Sequence, residues 1–353
     1  MSRAGAFCWA LTTAMFTLAC SDEKASDDGT DGSPPGGAGQ SASGGQPSDT
    51  APGSGGTEPN AGAGGTGGEE SGAGGATAVG GSASTIPGLD ACPAPPAGVS
   101  DAAVLAINTM NTVRLAMGVP CAELAPELCQ AAQNHCDYSA TNQGDPSCEA
   151  PSAHNEIAGC PGFTGEGPGD RMRAAGYTSR GGTECMAFRN DPERAVSTFI
   201  DSVYHRTPVL SPWLRHIGYG GAEDCDTIDF GTGPETPDEV TAFYPYQGQT
   251  GVPPSFDGSR EGPEPPMPPT GWPSGYPITL YARNITVTGH SIVVDGTTES
   301  LPHIWEEDSS AHVFYTETPL AANTTFRVTI DAIRGTEPLH FEWTFTTGEA
   351  GRW

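Results

Sequence analysis

Eight histidines occur in the chain, and His205 has the setting most suggestive of chemistry. It lies in SVYHRTPVLSP (202–212), where an apolar-periodic helix stops and Pro208 and Pro212 break the run. An exposed imidazolium at a helix C-terminus gains up to about 1 kcal/mol from the helix dipole, so capping alone could account for it. The sharper reading is one half of a ligand or catalytic pair. Asp201, Ser202 and His205 suggest a Ser-His-Asp hydrolase. However, Ser202 and His205 are three apart on one helical stretch, and neither a G-x-S-x-G elbow nor an oxyanion-hole signature occurs. His135, among small residues on a helix, reads as a satisfied structural histidine, and His216 opens a strand. His290, His303, His312 and His340 are scattered through the C-terminal third without ligand spacing.

The elements that must position such residues occupy only part of the 353-residue chain. Residues 4–19 are uncharged and apolar behind Arg3, which fits an export signal and is short for a membrane span. The signal ends in TLAC (17–20), which resembles a bacterial lipobox with Cys20 as the acylated residue, although Thr17 stands where leucine is usual. Ser21 hints at outer-membrane sorting. Residues 21–90 are Gly/Ser-rich and lack the apolar side chains to offset ordering entropy, so they read as a tether with a reach of roughly 45 Å. The formal charge of −28 repels phosphate backbones, which disfavours nucleic acid as a partner.

Eight cysteines follow Cys20, at 92, 121, 129, 136, 148, 160, 185 and 225. An even count in an exported chain favours disulfides, with their pairing left open. Cys129 and Cys136 lie two turns apart on one helix, about 10 Å, beyond disulfide reach.

Helices are expected from Asp101 to Gly118, from Pro126, in the stretch closed by Gly176, and from Asp191-Pro192 through Val203. In the last of these, Val196, Phe199, Ile200 and Val203 fall at i, i+3, i+4, i+7. Strand-like runs occupy 183–188, 216–220, 226–230 and 240–244, so residues 91–245 read as an α+β domain. Residues 246–275 are Pro/Gly-rich and read as a stiff linker. From 276 to 353 the period becomes two, as in Phe326/Val328/Ile330 and Phe341/Trp343/Phe345. About seven strands are expected there, forming a small β-sandwich.

NTVRLAMG (111–118), LCQAAQNHCDY (128–138), SAHNE (152–156), PGFTGEGPGDRMRAAGY (161–177), TECMAF (183–188), DSVYHRTPVLSP (201–212) and HIGYG (216–220) follow one another in order. Together they resemble the CAP superfamily of cysteine-rich secretory, antigen 5 and pathogenesis-related proteins, in its bacterial form. The resemblance implies an α-β-α sandwich with an open cleft holding histidines and glutamates that bind a divalent metal in some members. On that resemblance His154 matches the first histidine, Glu184 the glutamate of the Gly-Glu-Asn segment, and His205 the second histidine, followed by Arg206. Thr183 and Cys185 depart from the family's Gly and Asn. Ser202 stands near the second glutamate's place, with Glu156 as a candidate substitute. The C-terminal region resembles bacterial Ig-like modules in PLAANTTFRVTI (319–330) and FEWTFTTG (341–348).

Two imidazoles and a carboxylate can bind zinc with an open fourth position, or serve as an acid–base pair. The expected cleft residues are His154, Glu156, Glu184, His205 and Arg206, with His154, Glu184 and His205 as the zinc set. Arg206 is read as tying its turn to a carboxylate or carbonyl. The export signal and its lipobox-like end imply an extracytoplasmic, lipid-anchored protein, and the family resemblance implies a binding module for a lipid, sterol or cell-wall ligand. The alternatives are a metal-dependent hydrolase on the same residues and a purely structural surface protein.

Overall fold

The computed structural model describes residues 88–232, 239–307 and 311–349. The signal segment 1–20 with Cys20, and the tether up to residue 87, lie outside the described residues.

Helix α1 (Asp101–Ala116) starts where the Ser100 hydroxyl oxygen accepts from the Ala103 amide. Helix α2 (Pro126–Asn142) opens on a proline whose missing N–H needs no intrahelical partner there. After α3 (Pro168–Ala174), helix α4 (Pro192–Ile200) is capped by Asp191, whose Oδ1 accepts from the Arg194 amide at 3.0 Å. Asp191→Ala is expected to lower the unfolding free energy by about 1 kcal/mol, read as a shifted urea midpoint, and Asp191→Asn by much less.

Helix α4 stops at Ile200, and His205 instead immediately precedes a further short helix, α5 (Arg206–Leu210). This corrects the sequence reading, which placed His205 at a helix C-terminus. Pro208 sits in the first turn of α5, where a missing amide hydrogen costs nothing. The dipole argument for His205 therefore lapses.

Strands β1 (Glu123–Leu124), β2 (Arg180–Ala187), β3 (Leu214–Ala222) and β4 (Cys225–Thr232) form a sheet in the order β1-β3-β4-β2. β1 runs parallel to β3, and the other neighbours are antiparallel. Side chains alternate between two helical layers. Cys185, Ala187, Ile217, Tyr219, Ile228 and Phe230 enter the core shared with α1 and α4, whereas Met186 packs with Cys136 of α2. The α2 layer lies almost on the backbone of β3. A Cβ at Gly218 would overlap Leu128 and Cys129, and one at Gly220 would overlap Ala132 and Gln133, which explains HIGYG.

Disulfides join Cys92–Cys121, Cys136–Cys225 and Cys148–Cys160. These three bridges use six of the eight cysteines, and Cys129 and Cys185 lie outside them. Burial pushes the Cys129 thiol upward, away from the reactive thiolate.

The C-terminal region is all-β, with β5 (Ala242–Tyr244), β6 (Gln249–Val252), β7 (Ile278–Tyr281), β8 (Thr286–Val294), β9 (His303–Glu307), β10 (Ala311–Thr316), β11 (Thr325–Arg334) and β12 (Glu337–Thr347). They form two four-stranded sheets, ordered β5-β7-β10-β9 and β6-β12-β11-β8. Ile278, Leu280, Phe326, Val328, Ile330, Trp343 and Phe345 are buried, as their period-two spacing requires. Strands β5 and β6 lie upstream of residue 276 yet form an edge of each sheet. The Pro/Gly-rich segment 246–275 thus takes part in the packing: Phe256 and Trp272 lie against Val203, Tyr204 and Tyr315.

Candidate functional site

Three buried polar clusters hold the residues singled out in the sequence. The first gathers around Glu184. Its side chain leaves β2 on the α2–α3 side, where His154 Nδ1 lies 2.7 Å from Oε1 and Arg171 Nη2 donates to Oε2 at 2.5 Å. Arg171, from α3, also donates to the His154 carbonyl at 2.9 Å, which clamps the SAHNE loop. Glu156 joins the same cluster. Its Oε2 accepts from the Thr164 amide at 2.6 Å, and its Oε1 lies 3.0 Å from His135 Nδ1. His135 spends its second nitrogen on the Ala153 carbonyl at 2.9 Å, so it braces the loop from α2.

Asp229 completes this cluster from β4, directly opposite Glu184 in the strand register. Both carboxyls are buried. Burial pushes Glu184 upward, but the His135 charge, the His154 hydrogen bond and the Arg171 charge outweigh it and hold Glu184 at about 2. Asp229 moves the other way: burial, then the neighbouring Glu184 charge, raise it well above the ordinary carboxyl range. Of the two, Asp229 therefore takes the proton. Glu156 is lowered: burial opposes this, but the His135 and Thr164 hydrogen bonds prevail.

In the neutral ring, an Nδ1–H donated to Glu184 leaves a bare lone pair at Nε2. That atom is buried and has no hydrogen-bond partner among the described residues.

The second cluster holds His205. Its ring stacks on Phe199 at 5.5 Å, and its Nδ1 lies 3.0 Å from Glu261 Oε1. Glu261 comes from segment 246–275 and also accepts from the amides of Val203 (2.8 Å), Tyr204 (2.5 Å) and His205 (3.2 Å). Sequence reasoning missed Glu261, because a lone glutamate in EGPEPP carries no periodic signal.

The third cluster is Arg206, fully buried between the rings of Tyr244 and Tyr276 at 4.7 and 4.8 Å. It donates from Nε to the Ile200 carbonyl and from Nη1 to the Pro277 carbonyl, so it fastens the α5 turn to the β region. Arg206→Lys keeps the charge but loses the planar stacking and the fork. It is expected to lose about 2 kcal/mol of stability, measurable by thermal denaturation.

The fold thus brings His154, Glu156 and Glu184 together and adds His135, Arg171 and Asp229. It engages His205 with Glu261 and Arg206 with two tyrosines. All five expected cleft residues are buried. A zinc set of His154, Glu184 and His205 fits this arrangement poorly. Arg171 and His154 occupy the Glu184 carboxylate, Glu261 holds His205 Nδ1, and among the described residues no group of three His, Cys, Asp or Glu side chains could hold a metal ion. Two surface pockets, of about 280 and 240 Å³, lie elsewhere: one is lined by Glu127, Tyr177 and His216, the other by Cys92, Asn108 and Asn111.

Residues 107–232 match the family model of the CAP, cysteine-rich secretory protein family, and this segment is a CAP domain. No curated protein matches the chain. Among solved structures it is similar to an extracellular protein containing a SCP domain from Bacillus anthracis, at 18% identity and a TM-score of 0.31, over 37% of this chain and 40% of that one. It is also similar to a cysteine-rich secretory protein from Staphylococcus aureus, at 15% identity and a TM-score of 0.29, over 39% of this chain and 41% of that one. The chain therefore spans about two fifths of the length of either structure.

Proposed function

We propose that the CAP domain of residues 107–232 is a non-enzymatic binding module held at the cell envelope by an acylated Cys20 and the 21–90 tether, with an Ig-like C-terminal region as spacer. The carrying observation is the His154–Glu184–Arg171 relay. It fixes the imidazole by its Nδ1 and leaves Nε2 as the acceptor without a partner among the described residues. An acceptor of that kind suits a hydroxyl donor, which a sterol and a cell-wall saccharide both carry. Because His154 is buried, the ligand enters by local displacement of the SAHNE loop.

Glu184, neutralised by Arg171, is a poor general base and a poor metal ligand, which weighs against hydrolysis. Binding of the full chain to purified cell-wall polymer and to sterol-containing vesicles tests the reading. His154→Gln is expected to weaken one of the two at least tenfold. Unaltered binding to both would discard the module's proposed contact. Cys20→Ser is expected to move the protein from the membrane fraction to the soluble one.

A further inference from the structure

The C-terminal region carries a second pair of imidazoles, which sequence spacing hides. His290 on β8 and His303 on β9 are thirteen residues apart and belong to different sheets. β8 and β9 are each an edge strand, and the fold sets the two histidines against each other there. His290 Nδ1 lies 2.7 Å from His303 Nε2. His303 Nδ1 donates to the Leu301 carbonyl at 2.7 Å, which leaves Nε2 as the lone-pair nitrogen facing its partner. His290 is exposed, and its ring lies flat on Trp305 with centroids 4.3 Å apart. A backbone carbonyl that fixes the tautomer of one ring is the outer-shell device by which metal-binding histidines are oriented.

We propose that exposed His290 and half-buried His303 form a two-imidazole site for a borderline transition-metal ion, copper(II) before nickel(II) or zinc(II). Bonds of about 2.0–2.1 Å at angles of about 90–110° place two ligating nitrogens roughly 2.9–3.4 Å apart, so the nitrogens need to separate by a few tenths of an ångström and each ring to turn by about 35–45°, until both lone pairs point at the ion instead of along the nitrogen–nitrogen line. His290 uses Nδ1 and His303 uses Nε2. The hydrogen that His290 Nδ1 now donates moves through water to its own Nε2, so both rings stay neutral and no net proton is released. Two protein ligands leave the other positions to water, and for such nitrogen sites affinity peaks at copper(II). Because the ligands come from opposed sheets, the ion would clip the edges of the two together.

Titration of the metal-free full chain with copper(II), followed by calorimetry and by tryptophan fluorescence, tests the proposal, and nickel(II) serves as a redox-inert control. The wild type is expected to take up one ion more than His290→Ala or His303→Ala, or to bind at least tenfold more tightly. His340→Ala removes another exposed histidine of the same region and should bind as the wild type does. Trp305→Phe should keep the uptake and lose most of the quenching, since Trp305 stacks on a ligand. A single equivalent of copper(II) should raise the melting temperature of the wild type but not of His290→Ala. Equal stoichiometry and affinity in the wild type and both alanine variants would overturn the site. So would loss of the same equivalent in His340→Ala alone.

Discussion

Arg171→Met is expected to lower the unfolding free energy by about 3–5 kcal/mol at neutral pH, because it leaves two buried carboxylates short of a cation. Arg171 is 1% exposed, donates to Glu184 Oε2, and has its Nε 3.7 Å from Glu156 Oε1. It also ties the SAHNE loop through the His154 carbonyl, so the loss falls on α3, β2 and the loop together. Methionine fills much of the volume, which separates the electrostatic loss from a cavity. Arg171→Lys keeps one charge but cannot span both acceptors, and is expected to fall between the two. Urea midpoints at fixed m-value measure the series. A methionine variant within about 1 kcal/mol of the wild type would show that His135 and His154 suffice to hold the carboxylates.

The same cluster sets a pH dependence with two limbs. Glu184 has a depressed folded-state pKa, so its contribution is present above the unfolded value of 4.5 and is lost as pH falls toward about 2. Asp229 has a raised one, so its contribution is full below the unfolded value of 3.8 and is lost as pH rises through the folded value. Stability therefore declines on the acid side through Glu184 and on the alkaline side through Asp229. Asp229→Asn is expected to flatten the alkaline limb and leave the acid limb intact, as read from urea midpoints between about pH 3 and pH 8.

Much of this architecture was legible from residue types. Asp191-Pro192 followed by Val196, Phe199 and Ile200 specifies a capped amphipathic helix by local rules, and α4 follows it. The glycines of HIGYG mark a strand that another element approaches closely. His154 and Glu184 were found through motif order, and they meet at 2.7 Å. The rest depends on contacts no local rule encodes. Arg171 looks like a surface cation of a short helix, and only tertiary packing buries it. Asp229 alternates correctly in β4, but its neighbour across the register comes from 45 residues away. His290 and His303 sit in separate edge strands, so their proximity arises from how two sheets face each other. Segment 246–275 has linker composition, yet β6 within it pairs at a sheet edge and Phe256 bridges Ser274, with prolines tolerated between them.

Glu261, from the same segment, holds the turn that carries His205. Its side chain is 3% exposed, and its carboxylate takes three backbone amides and one imidazole nitrogen, all from residues 203–205. Glu261→Ala removes the acceptor of those buried donors, and each unpaired group costs roughly 1–3 kcal/mol before water enters. A total loss of about 3 kcal/mol is expected, smaller than the sum because the turn can relax and admit solvent. Hydrogen exchange at the amides of Val203, Tyr204 and His205 should quicken by about tenfold or more, while amides of β4 stay protected. Glu261→Gln retains one acceptor oxygen but turns an NH₂ toward a donor, and should sit between alanine and wild type in both measurements. The contrast with Arg171→Met is informative, since that substitution should loosen the SAHNE loop and leave the 203–205 amides protected. If Glu261→Ala changes neither the midpoint nor the exchange of those three amides, the strap is a passive neighbour. The turn carrying His205 would then be held by Arg206 and the α4 packing alone.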